Sequence, residues 1–377
     1  MAKDSSSKSA DPNDTIPPRI DTYGEWQKSQ GVPIVRGFFV EDINTLEVKP
    51  WALKGANGCF VHLDGCGVVN DAYVLELPPG AKTAPQKHMY EEMVYVTKGH
   101  GATTVWQDGG KKHTFEWGEG SLFAIPLNAN YQHFNTSGSP TRYYSMTNAS
   151  FMMNLFHNQD FIFNNPYVFE DRFSSDAEGY FSGKEEIFGR FFMTTNFVPD
   201  VRTIGLKDYS ERGKGSTNMK FDLAKNTMAA HISEFPVGTY KKGHRHGPGA
   251  HVIILSGQGY STLWREEEGK RETVHWKPGS VVVPPDQWFH QHFNSGATPA
   301  RYLALRWNSW RFKSVMKGEG TERQTYTSLK KGGSQIEFED EDPAVHAHFL
   351  SLIEKAGATC NMCEYYPHCS KKKAAAE

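Results

Sequence analysis

The chain has 377 residues, 38 % of them hydrophobic, with 35 glycines and 20 prolines, a turn-rich composition that favours strands over a helical bundle and a length that allows two or three domains. Its 41 basic and 43 acidic residues leave a formal net charge of −2, so there is no positive excess to neutralise phosphates or anionic lipid, and neither nucleic acid nor membrane is expected as a partner. Five cysteines without an even framework point to a reducing compartment, and no apolar run reaches the length of a spanning helix, so a cytoplasmic location is expected.

In chain order, the polar opening "MAKDSSSKSADPNDTIPP" lacks the apolar core of a secretory signal, and residues 1–50 read as an N-terminal arm that is partly disordered. A search for self-similarity then succeeds. "GHGATTVW" (99–106) matches "GQGYSTLW" (257–264), while "WGEGS" (117–121), "YQHFN" (131–135) and "PTRYY" (140–144) match "WKPGS" (276–280), "HQHFN" (290–294) and "PARYL" (299–303). Residues 51–150 and 216–310 are therefore read as two copies of one domain. In each, short alternating or apolar runs such as "EMVYV", "SLFAIP", "HVIIL" and "SVVVPP" are separated by Gly, Pro and Asn, the pattern of strands in a sandwich or barrel. The predicted fold is all-β: two tandem jelly-roll barrels, joined over 151–215 by an aromatic-rich connector expected to pack between them. Residues 311–377 form a C-terminal extension in which "EDPAVHAHFLSLIEKAG" predicts a helix over 343–356. Asp342 is its N-cap, Pro343 lies in its first turn, Phe349, Leu350 and Ile353 share a face, and Gly357 stops it. The tail "KKKAAAE" is of low complexity.

In the second copy Gly238 is followed by His244 and His246, and Gly279 by Pro285, His290 and Asn294. Side chains two apart on a strand share a face, so His244 and His246 are expected to aim together into the barrel, with His290 arriving from a neighbouring strand. Three converging imidazoles make a metal site. This two-part pattern resembles the signature of the cupin superfamily over most of residues 216–310. Most metal-binding cupins add a glutamate four residues after the second histidine; that slot is Ala250 here, and the adjacent His251 becomes a fourth ligand only if a bulge turns it inward. A three-histidine set keeps the full charge of the cation and leaves positions open for a chelating substrate and O2. The second copy is in this respect similar to the gentisate and 1-hydroxy-2-naphthoate dioxygenase branch of the bicupins, with "HRH" followed by no glutamate and "WFHQHFN" (288–294) as the second motif. The resemblance implies Fe(II) held by His244, His246 and His290, and cleavage of a ring or C–C bond beside a hydroxyl with both oxygen atoms incorporated. Zn, Mn and Ni stay open as alternatives, since affinity alone does not select iron.

In the first copy Gln86 replaces the first histidine, His88 keeps the second, Glu92 fills the carboxylate slot and Tyr131 replaces the third histidine. Neither amide nor phenol is a good ligand at neutral pH, so this barrel reads as one that has lost its metal, with a triad of His88, Glu92 and His133 as the alternative. Around the second site, His292 shares the face of His290 and is a candidate acid/base, although His133 at the matching place gives a structural reading equal weight. Arg306 on the final strand is a candidate for holding a substrate carboxylate, against the plainer reading of a surface arginine. Arg245 should face outward, and Trp288 should wall a pocket or join the core. In "CNMCEYYPHCS", Cys360, Cys363, His368 and Cys369 have the donors of a structural zinc site; otherwise they are reduced thiols.

The function read first from these residues is an Fe(II)-dependent dioxygenase of a hydroxylated aromatic or related enolisable compound. Its partners would be a small-molecule substrate and O2, in a homo-oligomer. The alternatives are a redox-neutral isomerase, lyase or hydrolase using Zn, Mn or Ni as Lewis acid, and a non-catalytic ligand-binding bicupin.

Overall fold

The repeated text builds the same sheet twice. In this computed structural model, which describes residues 19–312 and 326–366, the strands Ala56–Val61, Asp71–Leu77, Thr141–Thr147, Glu92–Lys98 and Leu122–Ile125 lie side by side in that order. Thr217–Leu223, Ala229–Phe235, Ala300–Arg306, Ala250–Ser256 and Val281–Val282 repeat the order in the second copy. A three-stranded sheet completes each barrel: Asn130–Asn135, His100–Trp106 and His113–Gly118 in the first, Phe289–Asn294, Gly259–Trp264 and Arg271–Trp276 in the second. Even the irregularities recur, with register shifts beside Arg142 and Arg301 at equivalent places.

Backbone demands explain the matched motifs. Gly99 and Gly257 turn their hairpins at φ +80° and +82°, a conformation that favours glycine. Two residues later, a Cβ on Gly101 or Gly259 would collide with the carbonyl oxygen of Phe134 or Phe293. The asparagine of "HFN" ties the loops in both copies: Asn135 Nδ2 donates to the carbonyls of Leu77, Pro78 and Ser139, and Asn294 Nδ2 to those of Phe235, Pro236 and Thr298.

The strands of the larger sheets are buried on both faces, which is why several read as continuous apolar runs rather than strict alternations. Tyr73, Leu75, Val94 and Val96 fill the first barrel, and Val252, Ile254 and Ala304 the second. The alternate residues, among them Val74, Met93, Met146, Ile232, Ile253 and Leu305, form one shared core between the barrels.

Residues outside the two copies lock this arrangement. The helix Thr22–Ser29 sends Tyr23 Oη and Gln27 Nε2 to the buried Asp71 carboxylate, at 2.6 and 2.9 Å, with His62 Nδ1 at 2.8 Å. Ile34–Val35 then pairs with the first barrel and Phe39–Val40 with the second, so the arm is a brace across both. The polar opening expected to be disordered lies outside the described residues, as does the tail. The connector does more than fill the gap expected of it. Met153, Ile162 and Phe173 pack on the first barrel's interior cluster, Phe197–Val198 pairs with Leu122–Phe123, and Phe192–Thr195 extends the second barrel's sheet.

The C-terminal helix forms over Pro343–Lys355, with the Asp342 carboxylate accepting from the Ala344 N–H at 2.9 Å. Phe349 and Ile353 are buried against Tyr240, Tyr260 and Phe293, so the helix covers the outer face of the second barrel's smaller sheet. No helix of the described residues is long and apolar enough to cross a membrane.

Candidate metal centre

His244, His246 and His290 meet in the second barrel, each offering one ring nitrogen, and these atoms lie within 4.8 Å of one another. His290 sits on the strand Phe289–Asn294. His244 and His246 do not occupy a regular strand, as the spacing suggested, but an extended loop entering Ala250–Ser256. The loop is pinned to the strand by a reciprocal pair: His244 N–H to His290 O at 3.0 Å and His290 N–H to His244 O at 2.9 Å. Gln86 and Tyr131 make the same pair at 2.8 and 2.9 Å in the first barrel, which fixes the correspondence between copies.

Backbone carbonyls set the tautomers. Nδ1 of His244, His246 and His290 lies 3.0, 2.7 and 3.2 Å from the carbonyl oxygens of Lys242, Gly247 and Trp288. A carbonyl only accepts, so each Nδ1 carries the proton and each Nε2 presents a lone pair. Burial, reinforced by Arg212 and by the imidazoles themselves, holds His244 and His246 well below the usual histidine range, and burial brings His290 down to about 4. Three neutral imidazoles with free Nε2 atoms are the donor set that a divalent transition metal takes.

His244 and His246 form one wall of a cavity. Arg306, predicted as a carboxylate holder, lines it, with its Nε unpartnered and its guanidinium 4.9 Å from the Trp310 ring. Arg212 and Lys220 add two further cations, and Tyr209, Tyr302 and Tyr326 three phenols; among the described residues no carboxylate lines it. Tyr302 Oη also accepts from the buried Lys241 Nζ at 3.0 Å.

No motif marks Arg212 along the chain, but the structure shows one. Ala84 N–H donates to Lys54 O and Lys242 N–H to Arg212 O, each at 2.9 Å, so "WALKG" (51–55) and "YSERG" (209–213) are the same turn. Each copy sends one long cation from that turn toward its barrel interior. In the first copy Lys54, 2 % exposed, donates to Tyr73 Oη at 3.3 Å and Tyr131 Oη at 3.4 Å, and both phenols donate to the Glu92 carboxylate. His88 Nε2 lies 3.1 Å from Glu92. Burial opposes ionisation of Glu92, but Lys54, His88 and the Tyr73 hydroxyl hold its carboxyl far below the usual range.

Several expectations are corrected here. Among the described residues His88, Glu92 and His133 form no metal-ligating cluster; Glu92 is engaged with tyrosines, and His133 Nδ1 binds Thr103 Oγ1 at 2.6 Å. No bulge turns His251 inward. It pairs regularly with Leu305 and faces the first barrel, with Nδ1 2.7 Å from Tyr144 Oη and Nε2 3.3 Å from Asn70 Oδ1. His292 does not line the cavity; its Nδ1 lies 2.7 Å from Ser261 Oγ, which accepts from Trp276 Nε1 at 3.0 Å. Trp117, Thr103 and His133 repeat that relay, so we assign His292 a place in the barrel's framework. As expected, Arg245 faces out to Glu266 at 2.9 Å, and Trp288 packs partly buried against the core beside Arg265. Cys360 is a buried reduced thiol, as the second reading expected, whereas Cys363 is disulfide-bonded; His368 and Cys369 lie outside the described residues.

Two of these buried imidazoles predict acid sensitivity. Burial lowers His133 to about 4 and His251 to about 3. Unfolded imidazoles take up protons near 6.5, so below that pH the unfolded state binds more protons and stability present above it is lost, by up to about 1.4 kcal/mol per pH unit per group. Urea unfolding followed from about pH 7.5 to about pH 4.5 should show the midpoint falling below pH 6.5, with a shallower fall in His251→Gln.

Residues 73–147 match the family model described as the cupin domain. A curated relative, the glucose-6-phosphate isomerase of Thermococcus gammatolerans, is 29 % identical over 134 residues, 35 % of this chain; the match spans 65 % of the relative's length. Solved structures similar to this chain include the oxalate decarboxylase of Bacillus subtilis at 16 % identity, covering 73 % of this chain and 77 % of that one with a TM-score of 0.47. A variant of the same enzyme matches at 14 % identity over 79 % and 83 %, with a TM-score of 0.49. The chain is an all-β protein of two tandem jelly-roll barrels, and residues 73–147 of the first match the cupin domain.

Proposed function

We propose that the second barrel is the centre of a metal-dependent enzyme that isomerises or cleaves a small, anionic, enolisable hydroxy or oxo compound without net redox change. The observation that carries this reading is the convergence of three unprotonated Nε2 atoms beside a cavity into which Arg306 presents an unpartnered Nε. His244, His246 and His290 would hold a divalent cation, which when bound supplies Lewis acidity toward a substrate oxygen. Arg306 pairs the substrate's carboxylate or phosphate and fixes its orientation. The phenols and Trp310 limit water in the cavity and leave proton transfer to side chains of this chain. The name of the curated relative, an isomerase of glucose 6-phosphate, supports the redox-neutral choice.

The Fe(II) dioxygenase is kept as the second reading because of Ala250. It stands where the first copy has Glu92, so the ligand set stays neutral and room remains for both a chelating substrate and O2. The deciding experiment incubates metal-loaded protein with sugar phosphates, α-hydroxy acids and hydroxybenzoates in D2O, with and without air. Deuterium incorporation or product formation without oxygen uptake is the expected result. Oxygen consumption coupled to ring opening would transfer the assignment to the dioxygenase. Metal-free protein carrying an apolar ligand would leave only a binding role.

A further inference from the structure

Tyr326 belongs to no motif and to neither repeat, yet it reaches the cavity that His244, His246 and Arg306 line. Its hydroxyl oxygen accepts from Lys220 Nζ at 3.3 Å, the Arg212 guanidinium lies 4.8 Å from its ring, and the Tyr209 ring meets it edge-on at 5.9 Å. We propose that Tyr326 is the proton-transferring residue of this cavity, its phenolate oxygen held by Lys220 and Tyr209 and directed at the bound substrate. The inference rests on reading the cavity as the substrate site and deepens that reading by naming the acid/base.

The surrounding charges support the placement. Burial works against ionising Tyr326, but Lys220 and Arg212 outweigh it, with help from Tyr209 and Arg306, and bring the phenol below the usual tyrosine range. Tyr209 moves the other way, raised by burial and by Tyr326. Tyr302 is raised by burial to about 12, His231 is held neutral by burial and by Arg306, and His244 and His246, lowered by burial, form the cavity's other titratable wall. An acid/base that titrates near the working pH transfers protons most effectively. In the step, the phenolate oxygen forms an O–H bond as the C–H bond of the substrate's hydroxyl-bearing carbon beside its carbonyl breaks. The C–H electron pair stays on the substrate as an enediolate, the phenol returns the proton to the former carbonyl carbon, and the hydroxyl proton passes to the former carbonyl oxygen, so that carbonyl and hydroxyl exchange places. No oxidant or reductant is consumed.

The test is a pH titration of full-length, metal-loaded protein labelled with 13Cζ-tyrosine. One resonance should titrate below the ordinary tyrosine range near 10, vanish in Tyr326→Phe, and move upward by about one pH unit in Lys220→Met. Tyr326→Phe should retain its metal and lose deuterium exchange into the substrate panel by roughly 10²- to 10⁴-fold. If every tyrosine titrates in the ordinary range near 10, or the early resonance persists in Tyr326→Phe, the proposal is wrong. Exchange that survives Tyr326→Phe overturns the assignment of Tyr326 alone. A Tyr326 that titrates as expected in a wild-type protein exchanging nothing overturns the isomerase or lyase reading, and the transfer step with it.

Discussion

Replacing His246 with alanine is expected to empty the second barrel of its cation without unfolding it. The three Nε2 atoms share one small volume, and the His246 ring is anchored through its Nδ1 to the Gly247 carbonyl while the backbone bond from Gln287 N–H to His246 O survives the change, so its removal opens the loop end of the site rather than the core. Even partners one shell beyond a metal's ligands cost 10- to 100-fold in affinity. Loss of a ligand itself should weaken binding by more than roughly 100-fold. Metal analysis after dialysis should show a filled site in the wild type and traces in His246→Ala. Thermal unfolding supplies the control: added metal at about 100 times its Kd stabilises the wild type by about 2.7 kcal/mol, whereas the variant should melt like the metal-free wild type with or without metal. Unchanged stoichiometry in the variant would remove the metal centre from these histidines.

Replacing Lys54 with methionine should cost more in stability than any change at the metal site. Lys54 and Glu92 are 2 % and 0 % exposed and are joined through Tyr73 and Tyr131. Methionine leaves the Glu92 carboxylate buried without its cation, and breaking a buried pair by removing one partner costs about 3–5 kcal/mol. Lys54→Met with Glu92→Gln should recover most of that loss, because no unpaired charge then remains; the double-mutant cycle reads the coupling directly. Chemical unfolding of all four proteins is the measurement. A single-mutant loss below about 1 kcal/mol would mean that the pair acts like an exposed one. The result bears on why only one copy keeps its histidines. A protonated amine, covalently tethered at the turn of "WALKG", supplies the positive charge of the first barrel.

Much of this was legible in the residues themselves. Two copies, strand-length segments and the His244, His246 and His290 cluster follow from repeated text and spacing, because backbone demands such as the left-handed Gly99 and Gly257 force the same residues at the same places. Asp342 and Pro343 announced the C-terminal helix for the same local reason. Other features depended on which layer covers which face. His251 follows the strand's alternation, but that its outer face is the seam between barrels, against Tyr144 and Asn70, is a fact of packing. Arg212, Lys220, Arg306 and Tyr326 lie more than a hundred residues apart at the extremes and meet only because the sheets curl and the C-terminal extension returns across them. Local periodicity tells a side chain which way to point along its own strand; what it then faces is decided by the rest of the chain.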